Sequence, residues 1–204
     1  MIHNFFKLDN IMEQVLIVFV ILYVGLVVWN RSDTRNQQYQ SVQSEVDGKS
    51  YLVQKKFTDS KEASNLLASI KNRLDILIVH LKKTHPNDVR TQRILSRFDT
   101  SNIVENDTSG KFTSFTQNKG EKMVFCLRTR DNRARLHPIN LMMFVAIHEL
   151  GHVCSESVGH DDPEFWENFA FLLREAVKIN VWTYTDFKKN PTTYCGMRIT
   201  NSVI

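Results

Sequence analysis

One stretch, residues 141–152, decides the fold: Leu141-Met142-Met143-Phe144-Val145-Ala146-Ile147-His148-Glu149-Leu150-Gly151-His152. Its continuous apolar start predicts a helix buried in the core of a domain. Residues four apart lie on one face of a helix, so His148 and His152 would project side by side, with Glu149 next to them. Gly151 is a poor helix former. Either it allows another segment to approach closely, or it has no special role.

The spacing of these polar residues predicts a metal site. A catalytic zinc ion is held by about three protein ligands and keeps one position open for water. His148 and His152 would supply two nitrogen ligands, and Glu149 would act as a general base toward the zinc-activated water. This H-E-x-x-H pattern is typical of zinc peptidases. The sequence therefore predicts a zinc metalloendopeptidase with one catalytic Zn²⁺.

A third ligand is expected shortly after the motif. His160 follows His152 by eight residues, and Gly159 before it permits the turn that would bring its ring back. Carboxylates also bind zinc, and the acidic alternatives to His160 are Glu156, Asp161, Asp162, Glu164 and Glu167. One of the two aspartates is also expected to cap a helix that begins near Pro163.

Tyr194 is a candidate for stabilising the reaction's transition state. It lies in the stretch Asn190-Pro191-Thr192-Thr193-Tyr194-Cys195-Gly196-Met197. A tyrosine hydroxyl can donate a hydrogen bond to the oxyanion of a tetrahedral intermediate. The alternative is a buried structural tyrosine, because nothing in the sequence places this residue near the metal.

The overall composition is that of one modest globular domain. The chain has 204 residues, of which 42% are hydrophobic and 24% charged. Its net charge of +4 is scattered along the chain, so nucleic acid is not indicated as a partner. The three cysteines, Cys126, Cys154 and Cys195, form no C-x-x-C pair. They predict core residues in a reducing compartment, without a disulfide framework.

The N-terminal region predicts a membrane anchor. Residues 1–10 form a short tail, and residues 15–29 carry no charge. With a few residues added in front, residues 11–29 approach the length that a bilayer requires, and Trp29 suits the interface. A cleaved signal peptide would need a positive start and a small-residue cleavage site. A buried core helix is the other alternative. We favour an uncleaved transmembrane helix that binds the lipid bilayer.

Charges beside the anchor indicate an orientation. Arg31 and Arg35 follow it, whereas Lys7 alone is the basic residue before it. The positive-inside rule then places the C-terminal part on the cytoplasmic side, as a single-pass membrane protein. Residues 30–50 are polar and predict a linker, which would restrict the enzyme to protein or peptide substrates near the membrane.

Residues 51–204 predict an α+β domain. Apolar stripes predict helices over 60–83, 89–98 and 163–179, in addition to the helix that ends in the motif. Strands are expected at 51–53, 111–117 and 123–128, the last two forming a hairpin around the turn at 118–120. Residues 101–110 are expected to be a loop.

Several of these pieces together resemble the WLM group of small metallopeptidases, which are relatives of the SprT group. The matching pieces are Val124-Phe125-Cys126-Leu127-Arg128, His148-Glu149-Leu150-Gly151-His152, Gly159-His160-Asp161 and Phe165-Trp166. The resemblance implies a minimal zincin-like fold, with zinc held by His148, His152 and His160 and with Glu149 as general base. The loop between the second and third histidines is longer here than is usual in that group. The C-terminal stretch is similar to membrane-anchored WLM-like proteins of large DNA viruses, which implies a viral protein.

Two alternative functions remain open. The first is a non-catalytic membrane or virion structural protein with a zincin fold, although such a protein would not require Glu149. The second is a DNA–protein crosslink protease, the activity of the best-known WLM and SprT relatives. No basic tail or zinc finger in this chain supports that second alternative.

Overall fold

The computed structural model describes residues 14–29, 38–107, 113–157 and 159–204. Residues 14–29 are helical (α1). The further helices are α2 (Ser60–Thr84), α3 (Val89–Arg97), α4 (Ile139–Cys154) and α5 (Pro163–Lys178). The strands are β1 (Tyr39–Gln43), β2 (Ser50–Gln54), β3 (Ile103–Glu105), β4 (Phe115–Gln117), β5 (Lys122–Phe125), β6 (Thr192–Tyr194) and β7 (Met197–Ile199).

Helices α2, α3 and α5 agree with their predicted bounds to within one residue at each end, and α4 ends two residues beyond the motif. Two of them begin at aspartate caps, which satisfy backbone donors that a helix start leaves unpaired. Asp88 accepts a hydrogen bond from the backbone N–H of Arg90 at 2.9 Å. Asp162 accepts one from the N–H of Glu164 at 2.8 Å, directly before α5. The expected aspartate cap of the Pro163 helix is therefore confirmed.

Helix α4 forms the centre of the core. Every side chain from Leu141 to Ile147 is buried, as the apolar run predicted. Helix α5 packs against it, and α2 and α3 also contact it. Gly151 allows the closest approach, since a Cβ atom there would lie 3.2 Å from the ring of Phe165 on α5. The first of the two interpretations of Gly151 is thus confirmed.

The strands form three small sheets. Strand β5 lies between β3, to which it is parallel, and β4, to which it is antiparallel. The β4–β5 pair is the predicted hairpin, with Phe115 opposite Val124 and Gln117 opposite Lys122. Strands β1 and β2 form a second sheet, and β6 and β7 form a third around the turn at Cys195-Gly196. Both turn residues have positive φ angles, as two-residue hairpins require.

Two segments that the sequence assigned to irregular structure contain strands. The predicted loop over residues 101–110 was wrong in part, because β3 (Ile103–Glu105) lies in its first half; residues 108–110 lie outside the described residues. The predicted linker over residues 30–50 contains β1. Side chains of α2 tie β1 in place: Ser64 donates to the carbonyl of Val42 at 2.8 Å, and Lys61 to that of Gln43 at 2.9 Å. Such long-range bonds leave no local sequence pattern.

The prediction of no disulfide was wrong, whereas the prediction that the three cysteines are core residues is confirmed. Cys126 and Cys195 form a disulfide across a sequence separation of 69 residues, and both are buried. Cys154 is free and buried, as expected of a core residue. No spacing in the sequence marks this pair, because only the folding of β5 and the β6–β7 hairpin brings the two residues together.

The chain divides into two compact units, Met1–Gln40 and Ser41–Ile204. In the first unit, helix α1 exposes nearly all of its apolar side chains. Within the described part of the chain, no helix combines the length and the apolarity needed to cross a membrane. Residues 11–13 of the predicted anchor lie outside the described residues.

Candidate metal and active site

Three histidines converge at the C-terminal half of α4. His148 and His152 project from the same face of the helix, and His160 reaches them from the loop before α5. The Nε2 atom of His160 lies 3.0 Å from Nε2 of His148 and 3.1 Å from Nε2 of His152. In the described part of the chain, these three residues form the sole group of histidine, cysteine or carboxylate side chains arranged to share a metal ion.

The three nitrogens fit a zinc ion. Bonds of about 2.0–2.1 Å to a tetrahedral zinc place its nitrogen ligands about 3.3 Å apart, close to the separations observed. Burial, together with the neighbouring imidazoles, lowers the pKa of His148 to about 3. Burial and the charges of His160 and Lys119 lower the pKa of His152 to about 4. Both rings are therefore neutral near pH 7, and neutral imidazole is the form that binds metal.

Aromatic side chains of α5 hold two of these histidines in place. The ring of Phe165 stacks on that of His152, with 4.3 Å between the centroids. The indole N–H of Trp166 donates to the backbone carbonyl of His160 at 2.7 Å. Although the loop after His152 is longer than is usual in the WLM group, it folds back so that His160 reaches the rings of His148 and His152.

The acidic alternatives to His160 have other partners or lie elsewhere. Glu156 forms an ion pair with Arg97 at 2.8 Å, and Glu164 forms one with Arg93 at 2.7 Å. Asp162 caps α5. The structure brings His160 to the paired histidines and does not bring any of the five carboxylates to them.

Glu149 lies in the same part of α4 and is buried. The hydroxyl of Thr116, on β4, donates a hydrogen bond to its Oε2 atom at 3.0 Å. Burial raises the pKa of Glu149 to about 7, although the bond from Thr116 acts in the opposite direction. A carboxyl group whose pKa lies near neutral pH can both accept and return a proton, as a general base must.

Tyr194 is buried and lies in the same site. Its hydroxyl forms a short hydrogen bond with the hydroxyl of Ser114, which in turn accepts a bond from the backbone N–H of Cys126 at 3.1 Å. Burial raises the pKa of Tyr194 above its ordinary value, and the charge of Glu149 contributes to this shift. The hydroxyl of Tyr194 therefore stays protonated near pH 7 and can donate a hydrogen bond. The tyrosine is buried, as the structural interpretation required, and it also faces the candidate active site.

A cleft of about 860 Å³ opens over these groups. Strand β4, helices α4 and α5 and the C-terminal residues form its walls, which are mainly apolar. The lining includes Phe115, Phe144, Val145, His148, Glu149, His152, His160, Trp166, Phe169, Tyr194, Met197, Ile199 and Val203. Such a cleft can admit an extended peptide beside the histidines.

Sequence reasoning missed four residues of this site: Ser114, Thr116, Lys119 and Trp166. The first two lie two residues apart on the predicted strand, so their hydroxyls share one face. That spacing was a readable signal, but nothing in the sequence showed that this face meets α4. The side chains of Lys119 and Trp166 donate hydrogen bonds to backbone carbonyls. Because every residue has a backbone carbonyl, the sequence does not indicate which one such a side chain will bind.

Comparisons with known proteins relate this chain to one protein family. The family model described as WLM domain matches residues 48–203. An uncharacterized protein of Acanthamoeba polyphaga mimivirus is 31% identical over 192 residues, covering 92% of this chain and 95% of that protein. An uncharacterized protein of invertebrate iridescent virus 6 is 28% identical over 140 residues, covering 67% of this chain and 74% of that protein.

Among solved structures, the chain is similar in fold to Wss1 from Saccharomyces cerevisiae. That similarity has a TM-score of 0.47 at 21% sequence identity and covers 63% of this chain and 88% of that one. The predicted resemblance to the WLM group and to proteins of large DNA viruses is confirmed by the family match and the two viral relatives.

Proposed function

The chain belongs to the WLM domain family, and on that premise we propose that it is a zinc-dependent endopeptidase that hydrolyses peptide bonds in protein substrates. One observation carries the proposal. Three imidazole nitrogens meet within hydrogen-bond distance at the floor of a cleft, and a buried carboxyl group follows the first of them on the same helix.

Each residue has a role in the proposed reaction. His148, His152 and His160 would hold the zinc ion, which when bound supplies a Lewis acid that lowers the pKa of water toward 7. Glu149 would accept the proton of the attacking water and pass it to the departing amine. Tyr194 would donate a hydrogen bond to the carbonyl oxygen as negative charge develops there. The apolar walls would exclude bulk water and strengthen these interactions.

The first test is zinc content together with peptide cleavage for three forms of the full chain. Wild type should bind one zinc ion and cleave a mixture of quenched fluorescent peptides. Glu149→Gln keeps the size of the side chain but removes the base, so turnover should fall by at least about 10²-fold while zinc and fold remain. His160→Ala should lose most of the zinc. A folded wild-type protein without zinc would refute the proposal.

The same variants separate the enzyme from a structural protein. A scaffold with a zincin fold would bind zinc and would support its biological role equally well as the Glu149→Gln form. An enzyme would not, because the role would depend on turnover. Equal performance of the two forms in a virus-replication or complementation assay would therefore favour the scaffold.

We further propose that residues 11–29 anchor the enzyme to a lipid bilayer, with the C-terminal domain in the cytoplasm or the virion interior. The proposal is supported by the uncharged sequence of residues 15–29 and by the exposed apolar side chains of α1. The orientation is inferred from Arg31 and Arg35, which follow the anchor. The cysteines do not support it, because Cys126 and Cys195 form a disulfide instead of remaining reduced.

Membrane extraction tests the anchor. The full chain, expressed in cells, should stay in the membrane pellet after a carbonate wash and dissolve in detergent. A variant with Leu16, Val20 and Val24 replaced by Asp should move to the soluble fraction, because each charge is costly in hydrocarbon. Recovery of the unaltered chain in the carbonate supernatant would exclude the anchor.

A further inference from the structure

We propose that Lys119 is a positioning residue that holds the loop between the second and third histidines, so that His160 reaches the metal. This inference rests on the proposed zinc site and adds a residue that neither the motif nor the family match singles out. It follows from the contacts of one lysine at the edge of the cleft.

The ammonium group of Lys119 binds three successive backbone carbonyls. Its Nζ atom lies 2.9 Å from the carbonyl oxygens of Ser155, Glu156 and Ser157. An ammonium group has three N–H donors and no acceptor, so these three bonds use its full capacity. The three carbonyls lie directly after the end of α4, in the loop that leads to His160.

The backbone at Lys119 is strained, which indicates that its position is enforced. Asn118 and Lys119 have φ angles of 47° and 57°, in the left-handed region, which asparagine tolerates but lysine seldom adopts. Gly120 follows with φ 124°, and a Cβ atom there would lie 2.8 Å from the carbonyl oxygen of Arg97. The turn is thus fixed between β4 and β5 and pressed against the end of α3. Strain of this kind persists where the surrounding structure imposes it, often at functional sites.

Other cations act on the same region but reach less of the loop. Arg93 binds the carbonyl of Cys154 at 2.9 Å, and Arg97 binds that of Val153 at 3.1 Å. These contacts satisfy the end of α4, and Arg97 also binds the carbonyl of Ser155 at 3.4 Å and the carboxylate of Glu156 at 2.8 Å. Lys119 extends the set of bound carbonyls to that of Ser157, further along the loop toward His160. It also lines the cleft together with His152 and His160.

The physical consequence concerns metal affinity. A histidine on a free loop would lose conformational freedom each time it bound zinc, whereas a loop already held by Lys119 has lost that freedom on folding. Residues that orient metal ligands in this way typically change metal affinity by about 10- to 100-fold when they are replaced. Removal of Lys119 should therefore weaken zinc binding without removing any ligand.

The test compares zinc affinity, measured by chelator competition, in full-length wild type, Lys119→Met and Lys119→Arg. Methionine keeps the length of the chain but loses all three donors, so the dissociation constant should rise by about 10- to 100-fold. Arginine keeps the charge, but its planar fork does not match three convergent carbonyls, so an intermediate value is expected. Lys188→Met is the matched control, because Lys188 is exposed and lies outside the cleft.

Amide hydrogen exchange in the metal-free protein gives a second measurement that does not depend on zinc. Exchange over residues 155–157 should accelerate in Lys119→Met and not in Lys188→Met. Unchanged exchange and unchanged zinc affinity in Lys119→Met would overturn the proposal. Should wild type bind no zinc, the proposed function fails, and unchanged exchange then separately refutes the role of Lys119 in the loop. If Lys119→Met does not fold, Lys119→Gln replaces it in both measurements.

Discussion

At the scale of single residues, burial prepares the site for its chemistry. Desolvation disfavours charged forms, so it lowers the pKa of a histidine and raises that of a carboxylic acid. His148 and Glu149 are neighbours on α4, and their pKa values move in opposite directions, to about 3 and about 7. One environment thereby gives a neutral candidate metal ligand beside a carboxyl group that can exchange protons near neutral pH.

Tyr194 offers a specific prediction at this scale. Tyr194→Phe removes a single hydroxyl from the cleft while keeping the buried ring. If that hydroxyl stabilises the oxyanion, kcat should fall by about 10²-fold, as for the loss of one oxyanion donor elsewhere, with KM and zinc content nearly unchanged. Steady-state kinetics on a cleavable peptide would measure both constants.

The control for that experiment is Ser114→Ala, which removes the hydrogen-bond partner of Tyr194 and leaves the tyrosine hydroxyl in place. It should cost less activity than Tyr194→Phe, because the donor itself remains. If Tyr194→Phe keeps the wild-type kcat, the hydroxyl does not stabilise the oxyanion and Tyr194 has only a structural role.

At the scale of elements, the C-terminal end of α4 explains how the site is assembled. The last carbonyls of a helix carry a partial negative charge and lack partners within the helix. Here Arg93, Arg97 and Lys119 converge on those carbonyls and on the following loop. The helix that presents two candidate ligands and the loop that presents the third are thus joined by cations from α3 and the β4–β5 turn.

Among the elements, the helices could be predicted from local sequence patterns and the shortest strands could not. Helices α2, α3 and α5 have apolar stripes with the helical period, so each could be predicted from local sequence alone. Strand β3 could not, because its partners are distant in the chain: it pairs with β5, and Glu105 at its end forms a buried ion pair with Arg128 at 2.8 Å. Three-residue strands carry too few positions for alternation to be recognised.

At the scale of the whole molecule, the disulfide fixes the C-terminal hairpin to the domain. Cys195 follows Tyr194 directly, so its bond to Cys126 also holds one wall of the cleft. A crosslink that closes a loop of this length stabilises a protein by about 4 kcal/mol, chiefly by restricting the unfolded chain.

Replacement of both Cys126 and Cys195 by alanine should therefore lower the free energy of unfolding by up to about 4 kcal/mol. In a domain of this size, such a loss corresponds to a fall in Tm on the order of 10 °C. Calorimetry with and without a dithiol reductant would measure it. Wild type should respond to the reductant and the double variant should not. An unchanged Tm in reduced wild type would contradict the prediction.

The sequence by itself determined the class of the protein and the identity of its candidate ligands. The helical spacing of His148, Glu149 and His152 is a local property, so it can be recognised from the sequence without knowing the fold. The tertiary structure alone decided which residues complete the site: the choice of His160 over five carboxylates, the approach of Thr116 and Tyr194, and the pairing of Cys126 with Cys195. These contacts join residues far apart in the chain, and their positions follow from the packing of β4, α5 and the C-terminal hairpin around α4, which no local pattern encodes.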